Sequence, residues 1–193
     1  MKNAILSTIL IFNLTCVKAQ QLFTRFQDLE LEDCKGNIIN TSTFLGKTIY
    51  VDFWFTACAP CIKEIPHSKA LQHFFKKDTN IVFMTICIEN IDRKPIWREM
   101  VLQQEMKGIN LFYARNRPQN VNLMRAYNIT FPTYILVNSK MKVIGDNAPR
   151  PSEKGWVHWA IYRAAQGVSL TQSKEEMNKN TTDFKKFIEQ EHF

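Results

Sequence analysis

The sequence predicts an α/β domain, in which a central mixed sheet is flanked by helices. Two apolar runs rich in β-branched and aromatic residues, 48–55 and 81–88, are typical of buried strands. A segment with helical spacing of apolar residues separates them, and further strand and helix patterns alternate up to residue 165. Such alternation is typical of parallel strands that are joined by helices and covered on both faces.

The composition is that of one folded domain. The chain has 193 residues, of which 45% are hydrophobic and 22% charged. That length allows about two-thirds of the unfolded surface to be buried, and the composition excludes a disordered or collagen-like chain. The five cysteines are too few for a small disulfide-framed scaffold. The net charge of +7 forms no basic block, so no nucleic-acid partner is expected.

Residues 1–19 are predicted to be a secretory signal peptide. Lys2 provides a positive start, the apolar run 4–14 is too short to span a bilayer, and small side chains precede a cleavage site after Ala19. We therefore expect an exported, periplasmic protein, or a membrane-anchored one if the signal is not cleaved. Four cysteines remain after cleavage, in a compartment where disulfides persist: Cys34, Cys58, Cys61 and Cys87.

The remaining elements are predicted in order along the chain. A hairpin over 29–39 turns at Lys35-Gly36-Asn37, and a second hairpin joins 132–137 to 142–144. The other expected elements are a helix after Cys58, a helix over 97–106, a short strand over 110–113, and helices over 119–127 and 153–165. The domain is predicted to span 20–167. Residues 168–193 are polar and charged, and they are expected to form a loosely attached tail ending in a short helix at 184–190.

The sequence Cys58-Ala59-Pro60-Cys61 lies between a predicted buried strand and a predicted helix. The backbone N–H groups at a helix N-terminus favour a thiolate over a thiol. The second cysteine is about one helical turn away and can close a small disulfide ring, and Pro60 suits the first turn. Such a pair can attack a substrate disulfide, form a mixed disulfide and resolve it intramolecularly.

Two other interpretations of this motif are weaker. A structural zinc site needs two further ligands, and His67 and His73 lie on the same predicted helix at an unsuitable distance. A purely structural disulfide would close so short a loop that it would gain little stability. The motif therefore favours redox chemistry.

Three segments together resemble the thioredoxin superfamily. They are Val51-Asp52-Phe53-Trp54, the Cys58–Cys61 motif followed by Glu64 and Pro66, and Phe131-Pro132-Thr133. Within the superfamily the chain looks most like exported thiol–disulfide oxidoreductases of the TlpA/ResA type, over roughly 29–165. The resemblance implies a thioredoxin-like fold with an N-terminal β-hairpin extension. It also implies that the Cys58–Cys61 dithiol is the redox group, with no metal, nucleotide or flavin cofactor.

The resemblance also implies roles for individual residues. Cys58 would be the exposed attacking nucleophile and Cys61 the buried resolving thiol. Pro132 would be a cis-proline facing the disulfide, with the backbone of Phe131 binding an extended substrate segment. Trp54 is expected to border the site as a packing residue.

Two carboxylates are expected near this dithiol. Asp52 matches a buried carboxylate whose raised pKa would let it accept the proton of Cys61. A hydrogen-bonded structural role for Asp52 stays open. Glu64 matches an acidic position that tunes thiol acidity, although a Glu early in a helix is also favourable on dipole grounds alone.

Two positions depart from the family pattern. Ala57 stands where thioredoxins usually carry a Trp, which removes an aromatic wall beside the site. Phe131 is bulkier than the residue usual before the proline and is expected to cover part of the dithiol. Of the other cysteines, Cys87 is predicted to be a buried apolar residue, and Cys34 an exposed thiol with either a second redox role or none.

The expected function is exchange of electrons between the Cys58–Cys61 dithiol and cysteines of exported partner proteins, with the protein acting as a monomeric reductase. Apocytochrome c is among the substrates that the resemblance suggests, and an upstream electron donor is required. Two alternatives remain. One is a chaperone that binds copper(I) through the two cysteines. The other is a peroxiredoxin-like peroxidase, which the absence of a proline in residues 54–57 disfavours.

Overall fold

The computed structural model describes residues 25–117 and 123–191. The strands are β1 (Glu30–Asp33), β2 (Ile38–Asn40), β3 (Thr48–Trp54), β4 (Ile81–Glu89), β5 (Ile109–Ala114), β6 (Thr133–Val137) and β7 (Val143–Gly145). The helices are α1 (Ala59–Phe74), α2 (Lys94–Gln103), α3 (Leu123–Ala126), α4 (Trp156–Ala165), α5 (Leu170–Asn178) and α6 (Thr182–Glu191). The strands form one mixed sheet in the order β2-β1-β5-β4-β3-β6-β7. The predicted α/β architecture is confirmed.

Two predictions fall partly or wholly outside this description. The predicted signal peptide at 1–19 lies outside the described residues, and so does the start of the helix predicted over 119–127. Within 25–117 and 123–191, no helix combines the length and the apolar character needed to cross a membrane.

The centre of the sheet is built from the two strands that the apolar runs predict. Strands β3, β4 and β5 are parallel, with α1 and α2 as the connections, and β6 runs antiparallel to β3. Because side chains alternate along a strand, Ile49, Val51 and Phe53 enter one core, which α3 helps to close. Tyr50 and Trp54 face the other side, where α1, α2 and α4 pack. The Cys58–Cys61 motif therefore follows a central strand in which six of the seven residues are buried.

The N-terminal hairpin forms as predicted and adds two strands, β1 and β2, at one edge of the sheet. Strand β1 pairs antiparallel with β2 and with β5. Its turn is held by the Asp33 carboxylate, which accepts hydrogen bonds from the backbone N–H groups of Lys35 and Asn37 at 2.8 Å each. Glu32 forms ion pairs with Lys94 and Arg98, and these contacts fasten the hairpin to the start of α2.

The C-terminal segment differs from the loosely attached tail that its polar composition predicts. It forms α5 and α6, and both helices pack against α4. The Trp159 indole Nε1–H donates to the Ser173 backbone oxygen at 3.1 Å, and Arg163 binds both carboxylate oxygens of Glu176 at 2.8 Å. The Phe187 ring lies 5.3 Å from that of Trp159. A few apolar residues at helical spacing are enough for attachment, because α4 offers them an aromatic surface.

Candidate active site

The two motif cysteines form a disulfide at the N-terminus of α1. Strand β3 ends at Trp54, a short loop follows, and Cys58 is the N-cap residue of the helix. The backbone N–H of Cys61 donates to Cys58 Sγ at 3.2 Å, and the two Cα atoms are 5.2 Å apart. Pro60 lies in the first turn, where its missing N–H costs no helical hydrogen bond. The predicted pairing and its position at the strand-to-helix junction are confirmed.

Both cysteines are nearly inaccessible in this disulfide form. Cys58 is 3% exposed and Cys61 is 2% exposed, so the prediction of an exposed Cys58 is wrong here. Both belong to a cluster of buried side chains that includes Trp54 and Trp97, and Phe131 packs against that cluster. The physical reason is that both cysteines belong to this apolar cluster. Apolar side chains cover the sulfur atoms.

The Phe131–Pro132 segment lies at the same edge of the sheet as the disulfide. The peptide bond between the two residues is cis, as the resemblance implies. In the antiparallel pairing of β3 with β6, Phe53 is opposite Thr133, so Pro132 lies level with the end of β3. The Phe131 ring meets that of Phe55 edge to face, with the centroids 4.9 Å apart. Residues from two strand ends thus converge around the start of α1.

Asp52 is an acid held in an unfavourable environment. It lies in the middle of β3, and its carboxylate Oδ1 is out of solvent and accepts no hydrogen bond from the described residues. Burial, reinforced by the negative charge of Glu64, raises the pKa of Asp52 from 3.8 to about 8. Its cross-strand neighbour Tyr134 has a buried hydroxyl that likewise lacks a partner within 25–117 and 123–191. Asp52 is therefore largely protonated at neutral pH.

Glu64 is held by a residue that the sequence analysis did not identify. The Glu64 side chain is buried on α1, one turn after Cys61. Its Oε2 accepts from the Ser152 backbone N–H at 2.9 Å, and its Oε1 accepts from the Ser152 hydroxyl at 2.8 Å. This pairing joins the active-site helix to the loop before α4. No local pattern in the sequence indicates it, because the partners come from distant segments.

The other two cysteines among the described residues, Cys34 and Cys87, form no disulfide. Cys87 is fully buried on β4 directly opposite Trp54, and burial raises the pKa of its thiol well above the ordinary value. Cys34 is half-buried and packs against the same cluster as the disulfide, so it is less exposed than predicted. Among the described residues, no group of three or more His, Cys, Asp or Glu side chains is placed to hold a metal ion.

A groove beside the disulfide also escaped the sequence analysis. It is lined by Phe55, Ala57, Glu89, Arg93, Arg115 and Phe131. Of these residues, only Ala57 and Phe131 were identified from the sequence, because they depart from the family pattern. The charged members come from the ends of β4 and β5, and sequence spacing alone does not bring them together.

The sheet, the Cys-x-x-Cys pair at a helix N-terminus and the cis-proline define a protein of the thioredoxin-like fold class. The Redoxin family model matches residues 20–155, so the chain belongs to the Redoxin family. The thioredoxin domain of a thiol-disulfide oxidoreductase from Bacteroides vulgatus superimposes with a TM-score of 0.61. That comparison covers 72% of this chain and 94% of the other at 22% identity, which supports the fold alone.

Two curated relatives match this chain at higher identity than that structure does. The thiol-disulfide oxidoreductase ResA of Geobacillus kaustophilus is 38% identical over 117 residues, which are 60% of this chain and 63% of that protein. ResA of Halalkalibacterium halodurans is 28% identical over 115 residues, covering 59% of this chain and 61% of that protein. The chain therefore spans about three-fifths of the length of these relatives.

Proposed function

We propose that this protein is a thiol–disulfide oxidoreductase that exchanges electrons between Cys58–Cys61 and cysteines of partner proteins. The observation that carries the proposal is the Cys58–Cys61 disulfide at the N-terminus of α1. Membership of the Redoxin family and the similarity to ResA thiol-disulfide oxidoreductases support it. The dithiol itself is the redox group, so the proposal requires no cofactor.

The reaction is two successive exchanges. With the pair reduced, the Cys58 thiolate attacks one sulfur of a substrate disulfide, forms a mixed disulfide and releases the other substrate sulfur as a thiolate that takes up a proton. The Cys61 thiolate then attacks Cys58 Sγ, closes the protein disulfide and releases the second substrate thiol. Two electrons and two protons pass to the substrate, and an upstream dithiol donor must return them. We propose this reducing direction for the protein.

The start of α1 favours Cys58 as the first nucleophile. The helix N-terminus and the backbone N–H of Cys61 both direct partial positive charge at Cys58 Sγ. The same contact in the dithiol form would stabilise a thiolate at Cys58, while Cys61 lies inside the first turn. This asymmetry supports the assignment of Cys58 as attacking and Cys61 as resolving cysteine.

Asp52 is the proposed proton acceptor for Cys61. Only the ionised form of Asp52 can accept this proton, and with a pKa of about 8 Asp52 keeps an ionised fraction at neutral pH that grows as the pH rises. Glu64 contributes through its negative charge, which disfavours ionisation of Asp52. The two carboxylates therefore have different proposed roles. Asp52 accepts the proton of Cys61, and the charge of Glu64 raises the pKa of Asp52.

The proposed substrate contacts are Phe131 and Pro132, and Trp54 borders this substrate site as a packing residue. Phe131 borders the disulfide cluster and is partly exposed, so a substrate segment can reach it. Trp54 is 1% exposed in this form, which supports a role in packing beneath the sulfur atoms rather than direct contact.

The proposed partners are exported proteins with oxidised cysteine pairs, with apocytochrome c as one candidate. A periplasmic location follows from the signal peptide predicted at 1–19. The protein is proposed to act there as a monomer that receives electrons from a second dithiol protein.

Cysteine variants test the activity by insulin reduction with a thiol donor. We expect wild-type protein to reduce insulin, Cys58→Ser to lose turnover, and Cys61→Ser to accumulate a mixed disulfide that mass spectrometry detects. Retained turnover in Cys58→Ser would overturn the assignment. Copper(I) uptake without insulin reduction would favour the metal-binding alternative. Thiol-dependent consumption of peroxide without insulin reduction would favour the peroxidase.

A further inference from the structure

The groove beside Cys58 has an apolar wall and a charged rim. It has a volume of about 430 Å³, and Ala57, the residue before Cys58, forms part of its lining. The rings of Phe55 and Phe131 form the apolar wall. Because Ala57 carries only a methyl group, the groove opens next to the disulfide. A substrate residue close to the reacting cysteine would therefore reach it.

The charge of Glu89 is compensated within the protein. The Thr56 hydroxyl donates to Glu89 Oε2 at 2.7 Å, and Arg93 Nε lies 3.7 Å from the same oxygen. Arg93 also donates to the Thr56 hydroxyl at 3.2 Å. The charges of Glu89 and Arg93 therefore balance each other. This pairing leaves the rim with one positive charge that Glu89 does not balance.

That positive charge is Arg115. It is exposed at the end of β5, and its Nε donates to Asn90 Oδ1 at 2.9 Å. Its backbone N–H donates to the backbone carbonyl oxygen of Glu89 at 2.9 Å, which fixes the position of the Arg115 backbone. Arg115 forms no ion pair with an acidic side chain within 25–117 and 123–191. A guanidinium anchored through Nε still has its two terminal NH₂ groups for a carboxylate.

We propose that this groove is a substrate subsite that binds an acidic side chain next to the reacting cysteine of a partner protein. The inference rests on the proposed function and adds a sequence preference to it. Arg115 pairs with the carboxylate, and the rings of Phe55 and Phe131 contact the aliphatic part of the same side chain. An extended residue advances the chain by about 3.3 Å, so the acidic residue lies one or two positions from the substrate cysteine.

Two matched peptides test the preference. Each has one cysteine in a mixed disulfide with 2-mercaptoethanol, and the two residues on either side of that cysteine are all Asp in one peptide and all Asn in the other. The pre-reduced protein is mixed with each peptide, and the second-order rate constant of peptide thiol release is measured. For the wild type we expect the Asp peptide to react about fivefold to twentyfold faster, and the preference to shrink with added salt.

Variants distinguish an effect of the groove on the peptide preference from an effect of the overall charge of the protein. Arg115→Gln is expected to abolish the preference, and Arg115→Lys to retain part of it. Arg117→Gln removes the same charge two residues away, from a side chain that lines a different cavity, and is expected to keep the preference. Each variant is judged by the ratio of its two rates, which does not depend on how much of it is folded.

The outcomes distinguish this inference from the activity itself. Failure of the reduced wild type to reduce hydroxyethyl disulfide, which has no charge, would overturn the proposed oxidoreductase function. Reduction of that compound together with equal rates for the two peptides would overturn the subsite alone. An equal loss of preference in Arg115→Gln and Arg117→Gln would also overturn it, because the effect would then come from long-range charge.

Discussion

Ser152 binds both carboxylate oxygens of Glu64, although the two residues are 88 positions apart in the chain. The two hydrogen bonds fix a buried charge on α1 close enough to Asp52 to raise the pKa of Asp52. The loop before α4 therefore contributes to the electrostatics of the disulfide site.

The Ser152 hydroxyl can be removed while its backbone N–H remains. In Ser152→Ala we expect a loss of about 1–3 kcal/mol in the free energy of unfolding, because Glu64 Oε1 loses its donor. We also expect a shifted pH profile for alkylation of Cys61 in the reduced protein, because Glu64 is less firmly held near Asp52. Urea unfolding and alkylation rates measure the two effects. Ser152→Thr keeps a hydroxyl and is expected to restore the pH profile; an unshifted profile in Ser152→Ala would mean that the contact is only structural.

Asp52→Asn separates the two exchange steps. An amide cannot accept the proton of Cys61, so we expect the resolving step to slow by about tenfold to a hundredfold, while the initial attack by Cys58 changes much less. Rapid-mixing experiments that follow formation and decay of the mixed disulfide measure both rates. Equal slowing of both steps would show that Asp52 has a structural role.

The same substitution has a pH-dependent effect on stability. Folding raises the pKa of Asp52 from 3.8 to about 8, so the folded state holds its proton more tightly than the unfolded state. The stability that Asp52 contributes is complete below pH 3.8 and is lost as the pH rises towards 8. Since Asn does not titrate, Asp52→Asn should gain about 2–4 kcal/mol relative to wild type between pH 4 and 7.

Urea unfolding of wild type and of Asp52→Asn, both in the disulfide form and across this pH range, measures that difference. His158 titrates as well, because burial lowers its pKa to about 4, so its stability contribution is lost as the pH falls from 6.5. That effect is common to both proteins and cancels when their free energies are subtracted. A difference that does not change with pH would contradict the raised pKa of Asp52.

Local patterns predicted much of the fold. The strands at 48–55 and 81–88, both hairpins and the Cys58–Cys61 junction follow from apolar runs, turn residues and helix-start chemistry, all of which act over a few residues. Local patterns did not predict contacts in which the two residues come from distant segments of the chain. Neither the Ser152–Glu64 contact nor the burial of Cys58 in a cluster with Trp97 has a local signal.

The two free cysteines of the described residues, Cys34 and Cys87, are expected to differ in reactivity. Cys87 is fully buried with a raised thiol pKa, whereas Cys34 is half-buried in the turn of the first hairpin. Because the thiolate is the reacting species, iodoacetamide should label Cys34 at least about tenfold faster than Cys87 in the native disulfide form. Quenched labelling followed by peptide mass spectrometry measures both rates. Equal labelling in urea is the control, and equal labelling in the native state would contradict the burial of Cys87.

The attachment of α6 to α4 can be tested at Phe187. Its side chain is 8% exposed and its ring lies 4.9 Å from that of Tyr162 and 5.3 Å from that of Trp159. Removing the ring in Phe187→Ala leaves a cavity at the edge of this aromatic group. We expect a loss of about 1–3 kcal/mol in the free energy of unfolding, less than for a central core position because α6 can partly close the gap.

Lys185→Ala is the matched control, since Lys185 is exposed on the same helix and should leave the free energy of unfolding unchanged. Limited proteolysis provides a second measurement, because a weakened contact with Trp159 and Tyr162 should release α6 and make cleavage after 167 faster in Phe187→Ala alone. If both variants unfolded at the same urea concentration as wild type, the C-terminal segment would contribute nothing to stability. It would then behave as the loosely attached tail that its polar composition predicts, and the packing of Phe187 would have no energetic consequence.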